Sequence, residues 1–305
     1  MEFVPIAFVD ALCTRLEYED LEELKEIENL WSSLAETHYT KRRHFSLYLN
    51  MNGDGTQVGM EIWQSVGDPL VPHSSLSKYD RINYILVEAE YYTDLPASYQ
   101  CYNLHCFRTK VWPVLQSSAA HYSMDKSFKM PTKSQKMLSE ILFSSLQGHI
   151  FSLKSWYTGP ECIKFIEKQV DLGHIKSIEL SSEEGWPQSL KSTLKFFLKC
   201  PNFASLEMGY SNLTVDLDMA TLIVERFVGG DYSFAFFRGR ASFTPEMLKG
   251  VHQESIVSDA ADLYSWNTTT VDSVVWSAPD WLLGAFFYTD KNVLLKIYKP
   301  SSFDC

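Results

Sequence analysis

The chain has 305 residues and a formal net charge of −11, with a pI near 5.2. That balance disfavours nucleic acid and anionic membrane as partners, because both select concentrated Lys and Arg. Hydrophobic residues make up 45% and charged residues 21%, which excludes a disordered chain and supplies a core for one large domain or two smaller ones.

The first forty residues read as two or three short helices. Pro5 stands where a helix begins, a position that tolerates its missing N–H. Phe8, Ala11, Leu12 and Leu16 recur at three- and four-residue spacing, the apolar stripe of an amphipathic helix. Asp20 reads as an N-cap, with Glu23 completing a loose capping box. Leu21, Leu24, Ile27 and Leu30 or Trp31 carry a second stripe. Such a stretch is too small to bury its own apolar faces. Lys41-Arg42-Arg43 follows and reads as a solvated helix end, where cations suit the dipole.

From His44 the period changes. His44–Asn50 and Gln57–Trp63 alternate apolar and polar residues around Asn52-Gly53-Asp54-Gly55, which predicts a hairpin. Asn50, Asn52, Asp54, Gly55 and Glu61 also match positions of a calcium-binding loop, but that loop needs a helix on each side. Strands are predicted over Ile82–Tyr92 and Tyr102–Trp112, the second ending before Pro113. The polar run Gln116–Lys133 is the expected linker, and a helix is predicted over Ser134–Gln147.

Strand and helix then alternate. The predicted strands start at His149, His174, Asn202 and Asp231, each followed by a predicted helix. The steps of 25, 28 and 29 residues match the period of a leucine-rich-repeat-like array. An ordinary α/β domain with similarly sized units fits nearly as well. The tail returns to strand character over Val271–Trp276 and Asn292–Tyr298, suited to capping the array.

The six cysteines, at 13, 101, 106, 162, 200 and 305, form no Cys-x-x-Cys pair. This is the usage of a reducing compartment, so a cytoplasmic or nuclear location is expected. Cys101 and Cys106, with His105 between them, read as packing and not as a metal site. No signal peptide and no membrane span are read from the sequence. Phosphate-loop, nucleophile-elbow, kinase and His-Glu-x-x-His motifs are absent. No enzyme, cofactor or metal is therefore expected. Glu183-Glu184, in a strand–helix loop, is a rim candidate for binding.

The N-terminal residues resemble an F-box. The opening pair is Val4-Pro5, the helix carries Phe8, Val9, Leu12 and Leu16, the Asp-Leu step is Asp20-Leu21, and Trp31 closes the motif at family spacing. The family usually has basic residues just before that Trp, where this chain has Glu28, Asn29 and Leu30. The order of an F-box-like start and a long α/β region also looks like a large nematode family of F-box-like proteins. The expected fold is α+β to α/β. It comprises a helical module over 1–43, a strand-rich region over 44–133 with its linker, and leucine-rich-repeat-like units with a strand-rich cap over 134–305. The resemblance implies docking on the Skp-type adaptor of a cullin–RING ubiquitin ligase through Pro5, Phe8, Val9, Leu12, Leu16, Leu21 and Trp31. The α/β remainder would hold an unknown target protein. The alternative is an interaction or structural protein in which these helices are part of the fold. Exposure of Pro5, Leu12 and Trp31 favours the first; their burial against the strands near Phe45–Trp63 favours the second.

Overall fold

Pro5 has an extended backbone and no amide hydrogen to leave unpaired, and helix α1 (Ile6–Cys13) begins directly after it. Helix α2 (Tyr18–Lys25) starts at Glu17, not at the expected Asp20. Asp20 is instead the third helical residue, and its carboxylate accepts the Glu17 N–H at 3.1 Å. Helix α3 (Leu30–Lys41) follows. The structure, a computed structural model, describes residues 4–27, 30–65, 68–88, 92–119, 121–126, 130–182, 185–251 and 270–299. Both of its units, residues 1–151 and 152–305, mix helices and strands.

In the first unit, β1 (Arg43–Met51) and β2 (Gln57–Trp63) form the expected antiparallel hairpin. Gly55 takes φ +77° at its turn. Asp54 accepts from the Thr56 N–H and hydroxyl, Asn52 accepts from the Gln57 N–H, and Asn50 is buried. Asn52 and Asp54 are thus spent on closing the turn, and Asn50 accepts from Gln135 Nε2 at 3.2 Å. Strand β3 (Asp80–Val87) runs parallel to β1, and β4 (Gln100–Asn103) pairs β2 on the other side.

The strand expected over 102–112 is largely helix: α4 (Leu104–Cys106), a π-helical turn (Phe107–Val111) and α5 (Trp112–Ser118). The Asn103 side chain starts it by accepting the Cys106 N–H at 2.8 Å. Pro113 brings no N–H and crowds the preceding turn, and the wider π register lies just before it. The expected linker is also structured. It holds the end of α5, strand β5 (His121–Lys126) parallel to β3, and Thr132, the N-cap of α6 (Lys133–Ser145). Tyr122 and Met124 are the buried residues among those described on β5, too few to show a period. The strands of this unit lie in the order β5-β3-β1-β2-β4.

From residue 149 on, β6 (His149–Trp156), α7 (Pro160–Asp171), β7 (Ser177–Ser182), α8 (Leu190–Lys199), β8 (Ser205–Ser211), a short β9 (Thr214–Val215), α9 (Leu217–Val228) and β10 (Phe236–Ala241) alternate. Strands β6, β7, β8 and β10 are parallel neighbours in that order. Same-handed crossovers between successive neighbours put the connecting helices on one face of a sheet. Leu153, Ile178, Leu206 and Phe237 point to that face and are buried.

The strands begin later than expected, at 177, 205 and 236 instead of 174, 202 and 231. Ile175, Phe203 and Phe234 are buried two residues before each start. Their apolar character comes from plugging the sheet's end and not from the ladder. The Ala204 N–H reaches Lys176 O and the Ala235 N–H reaches Ala204 O, each at 2.7 Å, so these entry segments bond one to the next. Helix α10 (Pro245–Lys249) precedes three antiparallel strands, β11 (Thr270–Ala278), β12 (Trp281–Tyr288) and β13 (Asn292–Tyr298). They add in the order β10-β13-β12-β11. No described helix is long and apolar enough to cross a membrane.

Candidate functional site

The three N-terminal helices have a core of their own. Val9, Cys13, Leu21 and Ala35 are fully buried, with Val4, Leu16, Leu24, Trp31, Leu34 and Tyr39 packed around them. The expectation that this stretch cannot bury its apolar faces holds only in part: it has this small cluster, while Ile6, Phe8 and Ile27 stay exposed. The expected partner contacts divide accordingly. Val9 and Leu21 are 0% exposed. They hold the helices together and cannot touch a partner. Leu12, Leu16 and Trp31 are half-buried, while Pro5 is exposed and Phe8 is 57% exposed. Ile6, absent from the expected contacts, is 58% exposed. The stripe read from the sequence, Phe8, Ala11, Leu12 and Leu16, is exposed to half-buried, and the buried face of α1 is Val9 and Cys13.

The carboxyl end of α1 is clamped. Arg42, expected in solvent, is buried, and its Nη2 donates to Cys13 O at 2.7 Å while its Nη1 donates to Leu16 O. Arg81 donates to Thr14 O from the start of β3. Two guanidinium groups thus satisfy carbonyls that a helix end leaves free. Burial, with the charge of Arg42 beside it, pushes the Arg81 pKa down to about 10, so it stays charged at neutral pH. Lys41 and Arg43 of the same basic run are exposed.

Asp10 on α1 takes Lys78 Nζ at 2.8 Å and His38 Nε2 at 2.9 Å. Its carboxyl is held below the usual range by those two hydrogen bonds, that of Lys78 first. His38 is 0% exposed, its Nδ1 has no partner among the described residues, and burial pushes its pKa down. A histidine kept neutral by folding takes up its proton first in the unfolded chain. Because burial outweighs the opposing pull of Asp10, stability linked to His38 is complete above the ordinary histidine value and falls as pH drops through it. Asp10 acts in the same direction at lower pH. The melting temperature of the first unit is expected to fall between pH 7.5 and 5.5, with a smaller fall in His38→Gln. Identical slopes in both proteins would contradict this assignment.

The second unit presents a different surface. Lys154 on β6, Glu179 on β7, Glu207 on β8 and Arg238 on β10 are register partners, and lie on the sheet face opposite Leu153, Ile178, Leu206 and Phe237. Lys154 Nζ lies 3.7 Å from Glu179 and Arg238 Nη1 lies 3.4 Å from Glu207. The row is charged +, −, −, + across four strands, and Ser152, Ser177 and Ser205 form a second row beside it. Glu183-Glu184, the expected rim residues, lie outside the described residues.

Among the described residues, no group of three or more His, Cys, Asp and Glu side chains gathers in a metal-binding cluster. Cys101, expected as packing, is exposed. A cavity of about 800 Å³ in the first unit is lined by Gly55, Thr56, Asn103, Leu104, His105, Arg108 and Thr109, with no carboxylate to pair with the histidine. Comparison with family models, with curated proteins and with solved structures finds no match to this chain.

Proposed function

We propose that the chain is a substrate-recognition adaptor of a Skp–cullin–F-box ubiquitin ligase. In this reading α1 docks on the Skp-type adaptor, and the parallel sheet of the second unit, read as leucine-rich-repeat-like, holds a target protein. The observation that carries the proposal is the exposed apolar start of α1. Pro5, Ile6 and Phe8 face solvent on a module whose own core is already complete without them. An apolar docking contact needs exposed apolar side chains of this kind. Holding a target near a ubiquitin-loaded enzyme raises effective concentration and needs no chemistry from this chain.

A pull-down of the full chain with purified Skp-type adaptor tests the proposal. Phe8→Asp is expected to leave the fold intact, because Phe8 is mostly exposed, and to weaken binding at least tenfold, as removal of an interface anchor does. Absence of wild-type binding, or unchanged binding by Phe8→Asp, would sink it. A second reading is that the helices serve only the fold. It is favoured by the clamp on the end of α1 from Arg42 and Arg81 and by the Asp10–Lys78 contact.

A further inference from the structure

We infer that the cavity beside the β1–β2 turn binds a small organic phosphate monoester. At about 800 Å³ it lies in the usual range of small-molecule sites. One wall is the turn, through Gly55 and Thr56. The other is the start of the helical run that begins at Leu104, through Leu104, His105, Arg108 and Thr109, with Asn103 before it. The Leu104 N–H donates to Thr56 O at 2.9 Å, so the backbone fixes how far apart the two walls stand there.

The chain carries a net charge of −11, yet this lining holds an arginine and a histidine and no Asp or Glu. Asp54, next to Gly55 in the turn, is engaged elsewhere: its Oδ1 accepts from the Thr56 N–H at 2.9 Å and from the Thr56 hydroxyl at 2.6 Å. The Arg108 guanidinium and the His105 ring stand three residues apart and are exposed, with no hydrogen bond or ion pair among the described residues. Asn103 gives its Oδ1 to the Cys106 N–H at 2.8 Å, which leaves its NH₂ to donate. A cleft lined by one sign of charge concentrates the opposite ion. The chemistry selects the ligand class. A guanidinium fork, an imidazole N–H and a carboxamide NH₂ supply donors for three terminal phosphate oxygens, where a carboxylate brings only two. Leu104, half-buried in the same lining, offers contact to the organic group of the ester. The cavity shares no residue with α1, so it stands or falls separately from docking on the Skp-type adaptor.

The test is a calorimetric titration of the full chain with phenyl phosphate at fixed salt. Saturable binding is expected, at least about tenfold tighter than that of inorganic phosphate or of benzoate. Arg108→Gln is expected to keep the circular dichroism spectrum, because Arg108 is exposed, and to weaken binding at least about tenfold. His105→Ala, also at an exposed position, serves if Arg108→Gln misfolds. Lys110→Gln is the charge control: Lys110 is exposed two residues further on but outside the cavity lining, and its loss is expected to leave binding unchanged. No saturable binding by the wild type would overturn the proposal. Equal losses in Arg108→Gln and Lys110→Gln would also overturn it, since they would mean attraction to a cationic surface and not a site. Equal affinity for inorganic phosphate or benzoate would overturn the assignment to a phosphate monoester.

Discussion

Asp80→Ala is expected to destabilise the first unit by about 3–5 kcal/mol, the range for removing one partner of a buried ion pair. Asp80 opens β3 and is fully buried. Its two oxygens take Arg43 Nε and Nη2, both at 2.8 Å, and it also accepts the Ser77 N–H at 2.6 Å. Burial alone would raise the Asp80 carboxyl, but the Arg43 and Ser77 hydrogen bonds outweigh it and hold the group below the usual carboxylate value. Its contribution is therefore present above the unfolded carboxylate range and is lost as pH falls through the folded value. Arg43 sits at the start of β1, the parallel neighbour of β3, so the pair fixes the ends of two adjacent strands. Arg43→Ala should cost at least as much, because it strands the fully buried Asp80 carboxylate without its cation, whereas Asp80→Ala leaves an Arg43 side chain that is 44% exposed. Urea unfolding followed by circular dichroism measures both. A loss under about 1 kcal/mol for Asp80→Ala would mean that the pair behaves as a surface contact.

Gly185→Ala is expected to cost about 2–5 kcal/mol, combining backbone strain with overpacking. Gly185 adopts φ +108°, and a Cβ there would sit 2.3 Å from Tyr157 Cδ1. The ring cannot retreat freely, because it packs edge-on against the buried Trp186 with centroids 5.4 Å apart. Trp186 is tied down in turn: its Nε1–H donates to Ser181 O at 2.8 Å, and Asn212 brackets its backbone N–H and C=O. Gly209→Ala, whose Cβ meets nothing closer than 3.5 Å, is the control and should cost under about 1 kcal/mol. Thermal unfolding of the second unit separates the two variants. Equal losses would contradict the packing described around Tyr157.

Periodicity made much of the fold readable. The hairpin around Gly55 and the alternation of strand and helix after residue 149 follow from period-two and period-three-to-four patterns. Its failures have physical causes. Tyr102–Trp112 is aromatic and β-branched enough to look like a strand, yet the cap from Asn103 turns it into helix. Ile175, Phe203 and Phe234 are as apolar as strand residues but plug the sheet's end. Arg42 reads as a surface charge because its acceptors, the carbonyls of Cys13 and Leu16, lie 29 and 26 residues earlier. Of the residues expected to dock, Pro5 and Phe8 are exposed, whereas Val9 and Leu21 are core. A stripe reports that apolar residues face one way, not what covers them.

Amide hydrogen exchange of the full chain, with and without saturating Skp-type adaptor, tests the central claim most directly. Docking through the exposed start of α1 predicts new protection over residues 6–13, with strands β1 and β2 unchanged. No new protection anywhere, or protection confined to the second unit, would contradict docking by α1 and leave the helices as part of the fold alone.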